Sequence, residues 1–231
     1  MKIAILAPMR QELAPVVQAF SLERTTVGDT VLRSGRIGDT EIVATTTGIG
    51  TAGARQATER LLDATPVDHV MVVGIAGGVG STVKIGDLIF PSTVIDKSTG
   101  NEYQPTHLGD PTARGTILTS DDFHVDPGVV AELAAAGVIA LDMETSAVAE
   151  VCTRRGCQWS VIRAISDMAT DHPDDSVLGL AKPDGSANGP AVAKFLLTKP
   201  WRIPHLARLQ RDSKAAATAA AEAAARACAP A

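Results

Sequence analysis

The stretch at residues 140–168, ALDMETSAVAEVCTRRGCQWSVIRAISDM, constrains the fold more than any other part of the chain. An apolar run at residues 137–143 leads into it and stops at Asp142-Met143-Glu144. Residues 145–155 then follow a helical pattern, with Ala147, Val148, Val151 and Cys152 recurring on one face. Residues 159–165 form a second apolar, β-branched run, interrupted by Arg163 and ending at Ser166-Asp167. Strand, helix, strand in that order predicts a βαβ unit with parallel strands. Glu144 and Asp167 would then lie just past strand C-termini, where open α/β sheets bind small molecules. The plainer alternative makes Glu144 an anion in a helix's first turn and Asp167 a helix cap.

Elsewhere the chain alternates in the same way. Residues 2–7 read as a buried strand, and residues 10–20 as a helix with Glu12 in its first turn. Residues 31–35 and 41–47 predict a hairpin around Gly38-Asp39. Residues 48–53, GIGTAG, open a helix over 51–63. Alone, that pattern suggests a dinucleotide-binding turn. Such a turn needs an acidic residue closing the next strand. The next strand, residues 69–73, ends instead in the glycine loop Gly74-Ile75-Ala76-Gly77-Gly78. Further strands are expected at 84–90, 92–96 and 115–119, with an irregular polar loop at 96–112. Asp126-Pro127 caps a helix to Ala136. Thr170, Asp171 and His172 fall in a polar segment that could form a lid or face a partner. A turn-rich linker at 182–189, a helix at 189–197 and an Ala-rich helix at 202–228 complete the reading.

Composition narrows the function. A chain of 231 residues suits one large α/β domain spanning 1–231. At 45% apolar but only 3% aromatic, its core must be aliphatic. A net charge of −5 argues against a nucleic-acid groove or an anionic membrane surface. No run approaches the ~20 apolar residues of a membrane span. The first residues, MKIAILAP, are too short for a signal peptide. Cys152, Cys157 and Cys228 form no metal-ligand pattern, and so few thiols fit a reducing cytoplasm.

DMETSAVAEV followed by VIRAISD resembles the signature half of the nucleoside phosphorylase and nucleosidase superfamily. The branch it is most similar to is the methylthioadenosine/S-adenosylhomocysteine nucleosidases. The likeness extends over residues 1–175 and includes Met9 with Glu12 three residues later, both glycine loops and the KIGD-LIF segment. It implies a three-layer αβα sandwich around a central mixed sheet; the Ala-rich C-terminal helix within residues 200–231 lies beyond it. It also implies site roles. Glu144 would hold the sugar hydroxyls, Met143 would pack on the sugar face, and Ser166 would present Asp167 to the purine N7. Glu12 would take the proton of an attacking water, with Arg163 orienting one or the other. Phe123 would stack on the base. Met9, Ile49 and Met143 would wall the sugar, with Ala76 and Gly77 in the glycine loop beside it. No metal or organic cofactor is required, and a homodimer is implied, with the 96–112 loop a candidate to complete the neighbour's site.

The resemblance also bears on the nucleophile. Phosphorylases of this superfamily place an Arg and a Ser, both phosphate ligands, where this chain has Val72 and Ile75. A phosphate dianion needs donors and positive charge, so the sequence favours water. The nucleosidases also commonly carry a Ser at the Ile75 position, which leaves open how the water is held. Three other readings remain at this stage. One is a phosphorylase recruiting phosphate through Arg10 or another Arg. The second is a nucleoside-binding protein with little catalysis. The third, more distant, is a dinucleotide-dependent oxidoreductase.

Overall fold

In β1 (Lys2–Ala7) almost every side chain is buried, and alternate residues enter different cores. Ala4 and Leu6 join one hydrophobic cluster, while Ile3 and Ile5 join the other. That is the period of a strand buried on both faces. The computed structural model describes residues 1–28, 30–109, 111–122, 126–170 and 203–229. Around β1 it builds a mixed sheet whose main path begins with β2 (Glu23–Val27), β3 (Thr30–Ile37) and β4 (Thr40–Thr46). The path continues through β1 and β5 (His69–Gly78) to β10 (Val138–Asp142), β9 (Thr116–Thr119), β7 (Thr93–Asp96) and β8 (Glu102–Tyr103). β11 (Gln158–Met168) pairs with β5 and with β6 (Leu88–Ile89) off that path.

Helices cover both faces. On one, α2 (Thr51–Ala64) and α4 (Thr145–Arg155) pack together and put Ala54, Leu61, Ala147, Val148 and Cys152 against Val70, Val72 and Val161. On the other, α1 (Arg10–Ala19) and α5 (Ile203–Cys228) bury Val16, Phe20, Ala216, Ala220 and Ala224 over Met71, Val73 and Ile162. α3 (Pro127–Ala135) packs against β10, with its N-terminus capped by Asp126, as expected. The layered α/β architecture inferred from the sequence is present. α5 is the Ala-rich helix, and its small side chains let its axis come close to the sheet.

α4 ends as its sequence suggests. Gly156 takes a left-handed φ of 65°. The Cys157 N–H reaches the Cys152 carbonyl at 2.9 Å, and the Gly156 N–H reaches that of Thr153 at 3.2 Å. This is the paired bonding of a Schellman cap. Arg154 and Arg155 in the last turn reach Glu59 and Asp63 on α2. These exposed pairs, screened by solvent, add little to stability.

Three expectations need correction. β10 and β11 are not a parallel pair joined by α4: β11 runs parallel to β5, whereas β10 meets β5 antiparallel at Gly77 and Gly78. The parallel partner of β10 is β9. A helix of this length permits either direction of return, so the local pattern could not decide it. The glycine loop after residue 73 is not a loop either. β5 continues through Gly74–Gly78, paired throughout with β11. A side chain at Gly78 would displace that of Met168, since a Cβ would lie 2.9 Å from its Sδ. Finally, the strand expected at 84–90 is only Leu88–Ile89, and β2 and β8 were not foreseen. The hairpin around Gly38-Asp39 forms as predicted, with Ile37 opposite Thr40. The linker at 182–189, the helix at 189–197, Asp171 and His172 lie outside the described residues. No helix among the described residues is long and apolar enough to cross a membrane.

Candidate active site

The site forms where β5 changes partner. β11 occupies one edge of β5 along its whole length. On the other edge β1 pairs with His69–Val72 and β10 only with Gly77 and Gly78. Residues 73–76 are left between them, a switch point of the kind that binds ligands in α/β sheets. Into this gap comes Glu12, carried by the first turn of α1. Its Oε2 accepts the Ile75 N–H at 2.8 Å. The side chain of Ile75 packs in the cluster of Met71, Val73 and the α5 alanines, so only its backbone serves the site.

Arg163 projects from β11 opposite Gly74 and is wholly buried. Its Nε and Nη2 donate to Asp142 Oδ2 at 3.1 and 2.7 Å. Nη2 also reaches Glu144 Oε2 at 3.3 Å and Thr145 Oγ1 at 3.1 Å. Nη1 faces Glu12 Oε2 at 3.8 Å. Among the described residues, the buried side-chain polar atoms without a hydrogen-bond partner are Glu12 Oε1 and Arg163 Nη1, one from each side of this ion pair.

Glu144, the N-cap residue of α4, faces two ways. Its Oε1 accepts the Gly50 N–H at 3.0 Å, which ties the first glycine loop to the site. Gly50 has φ 94°, a conformation few other residues adopt. Asp121 holds the next residue, accepting from Thr51 N at 2.8 Å and from its hydroxyl at 2.5 Å. Carboxylates therefore already occupy the Gly50 and Thr51 donors at the start of α2.

Burial disfavours charge on these acids. It pushes Glu12 up to about 8, with Arg163 pulling down and the neighbouring Glu144 adding to the rise. Glu144 is likewise raised by burial, opposed by Arg163 and assisted by Asp142. Burial also works against the charge of Arg163, but Asp142, Glu144 and Glu12 more than offset it and hold the guanidinium protonated.

Near the C-terminal end of β11 the register with β5 shifts between Ile165 and Asp167. Such a bulge re-aims side chains beside it. Ser166 is buried; its hydroxyl donates to Asp167 Oδ1 and lies 3.4 Å from the Ala76 carbonyl. Asp167 sits opposite Gly77, where an added Cβ would be 3.7 Å from Oδ2. Asp167 thus lies within the strand rather than beyond it. Met143 stands between Asp142 and Glu144, and Ile49 beside Gly50 in the loop. Met9 is the N-cap residue of α1, its Sδ accepting from Gln11. Phe123 lies outside the described residues. The structure thus brings Glu12, Glu144 and Arg163 together, with Ala76, Gly77, Ser166 and Asp167 along the adjoining pair of strands. Asp142 was missed, although an acid closing an apolar strand two residues before Glu144 was a visible signal.

Gly74 makes this cluster possible. A Cβ there would overlap Glu12 Oε2 and lie 2.5 Å from Arg163 Nη1. Gly74→Ala is therefore expected to displace both groups and cut kcat/KM about 10²-fold, the usual cost of a ~1 Å misplacement. Steady-state kinetics beside a thermal melt will check this, and wild-type kinetics in the variant would sink it.

A family model described as Phosphorylase superfamily matches residues 2–110 and 104–198. The chain belongs to this superfamily. Its relatives there include the 5′-methylthioadenosine/S-adenosylhomocysteine nucleosidase of Shewanella denitrificans, 32% identical over 207 residues, covering 76% of this chain and 90% of the relative. The Bacillus subtilis protein of the same name is 30% identical over 200 residues, with 73% and 87% covered. Among solved members of the superfamily, the Neisseria meningitidis nucleosidase in complex with methylthio-immucillin-A superposes with a TM-score of 0.73 at 20% identity. That match covers 98% of this chain and 97% of the other. Futalosine hydrolase of Helicobacter pylori gives 0.70 at 20% identity, covering 96% and 94%. At such identities these likenesses concern the fold.

Proposed function

We propose that this superfamily member is a purine nucleoside N-ribohydrolase acting on methylthioadenosine/S-adenosylhomocysteine-type nucleosides with water and releasing the free base. The observation that carries the choice of water is the charge balance around Arg163. One guanidinium faces Glu12, Asp142 and Glu144, all within 4 Å. Asp142 already balances the charge of Arg163, so a phosphate dianion entering there would find no spare positive charge, and the Ile75 N–H is already taken by Glu12. Water needs one acceptor and one donor, and Glu12 Oε1 and Arg163 Nη1 are buried polar atoms of that kind. Glu12 and Arg163 thereby take over the placement that a Ser at position 75 would have assisted.

In this mechanism Asp167 protonates or hydrogen-bonds the purine N7 as the glycosidic bond stretches. Glu144 exchanges its Gly50 contact for the sugar hydroxyls, and its charge favours the oxocarbenium-like transition state. Met143, Met9 and Ile49 wall the sugar, Ala76 and Gly77 let it approach the β5 backbone, and the stacking role the resemblance gives Phe123 falls outside the described residues. Glu12 then accepts a proton from water on the opposite face. On the resemblance alone, the reading also includes a homodimer in the cytoplasm; sedimentation at micromolar concentration tests the first of these.

Glu12 must be ionised to act as the base, and burial has raised it to about 8. The rate should therefore climb as pH rises from about 6 toward that value. The primary test is release of base from methylthioadenosine, S-adenosylhomocysteine, adenosine and inosine, with and without phosphate, across that pH range. Adenine released from the thio-nucleosides at a rate phosphate does not change is the expected result. Release only with phosphate would overturn the hydrolytic reading.

A further inference from the structure

Asp142 has a place in the site that its sequence position does not announce. It closes β10, is buried, and takes five donors: Thr119 Oγ1 and Thr145 N on Oδ1, and Thr145 Oγ1, Arg163 Nε and Arg163 Nη2 on Oδ2. A carboxylate so saturated has nothing left for a substrate. Its partners are themselves held. Thr119 Oγ1 accepts the Ser146 N–H at 3.0 Å, and the Ser146 hydroxyl donates to Asp96 Oδ2 at 2.9 Å. Asp96 in turn takes Ser98 and Thr99 on its other oxygen. A continuous polar chain therefore runs from β7 through α4 to the guanidinium.

We propose that Asp142 is a positioning residue of this site: by engaging Nε and Nη2 of Arg163 it fixes the plane of the guanidinium so that Nη1 alone faces Glu12. A carboxylate on the Nε/Nη2 side of an arginine sets its orientation in a way a single contact cannot. Without it, Arg163 would have only Glu12 and Glu144 as charged partners and would turn toward whichever is ionised. The proposal rests on the hydrolytic reading for its kinetic consequence, but not for its geometry.

The competing explanation is that Asp142 merely caps α4 through the Thr145 N–H. Asp142→Asn separates the two, since its amide oxygen can keep the Thr119 hydroxyl and the Thr145 N–H while the charge that engages Arg163 is removed. The charged groups in this cluster are Arg163 from β11, Glu144 from the start of α4, Glu12 from α1 and, through Ser146, Asp96 from β7. With one anion gone, Arg163 favours the ionised forms of Glu12 and Glu144 more strongly. The expected result for Asp142→Asn is a 10- to 100-fold fall in kcat, with KM little changed. The acid limb of the kcat/KM profile should move to lower pH. An unchanged limb, with kcat reduced only in proportion to folded protein, would leave Asp142 a cap and overturn the proposal.

A second readout needs no turnover. The raised acids make wild-type stability decline as pH rises from about 4.5 toward 8, and in Asp142→Asn that decline should begin at the same pH but end at a lower one and be smaller in total. If the wild type releases no base, the hydrolytic reading fails, and the thermal-melt profiles alone decide on Asp142. Superimposable profiles would reject it.

Discussion

Glu12→Gln is expected to lower kcat by about 10²–10⁴-fold, the contribution of a general base, while leaving the folded protein intact or more stable. The amide fills the same volume and can still accept the Ile75 N–H, but it cannot take a proton from water. The stability half follows from linkage. Buried Glu12 holds its proton up to about 8, whereas in the unfolded chain it loses it near 4.5. The folded state therefore binds more protons over that interval, and its stability is fully present below the lower value and lost as pH climbs through the upper. Gln does not titrate, so the variant's melting temperature should vary less between pH 5 and 8. Activity assays and melts over this range check both halves. A variant retaining wild-type turnover would remove Glu12 from the mechanism.

Asp167→Asn should be comparably damaging, again about 10²–10⁴-fold in kcat. The bulge in β11 sets Asp167 beside Gly77, and the Ser166 hydroxyl fixes one of its oxygens. An amide keeps the shape and can still accept from Ser166, but it offers no acid proton to a departing base. Binding should survive, so a non-hydrolysable nucleoside analogue titrated calorimetrically should bind within a few-fold of wild type. That comparison also tests the binding-protein reading: turnover equally poor in wild type and variant, with equal affinity, would favour it.

The residues that carry chemistry were more legible than their arrangement. Glu144, Arg163 and Asp167 stand out because charged side chains interrupt or end apolar runs, and burying them demands partners. The continuous apolar run of β1 gave away a buried strand. The direction of β10 was hidden, because it depends on β9 pairing with it across the intervening residues 120–137. Gly74–Gly78 read as a loop because glycine weakens strands in isolation. Here β11 supplies the ladder, and the missing side chains admit Glu12, Arg163 and Met168. Asp142 was overlooked for a related reason: alone it looks like a helix cap, and only the meeting of β9, β10 and β11 turns it into the counter-charge of an arginine.

The alanine face of α5 has a consequence for synthesis. Ile3, Ile5, Met71, Val73, Ile162 and Ala164 belong to the cluster that Ala216, Ala220, Ala221 and Ala224 close. Those strands are translated well before residues 203–228. A nascent chain paused short of them would expose a broad aliphatic sheet surface to its neighbours on the ribosome, the kind of intermediate that chaperones hold. Nonsense variants ending near residue 200 should therefore accumulate as aggregates rather than as a soluble, weakly active enzyme.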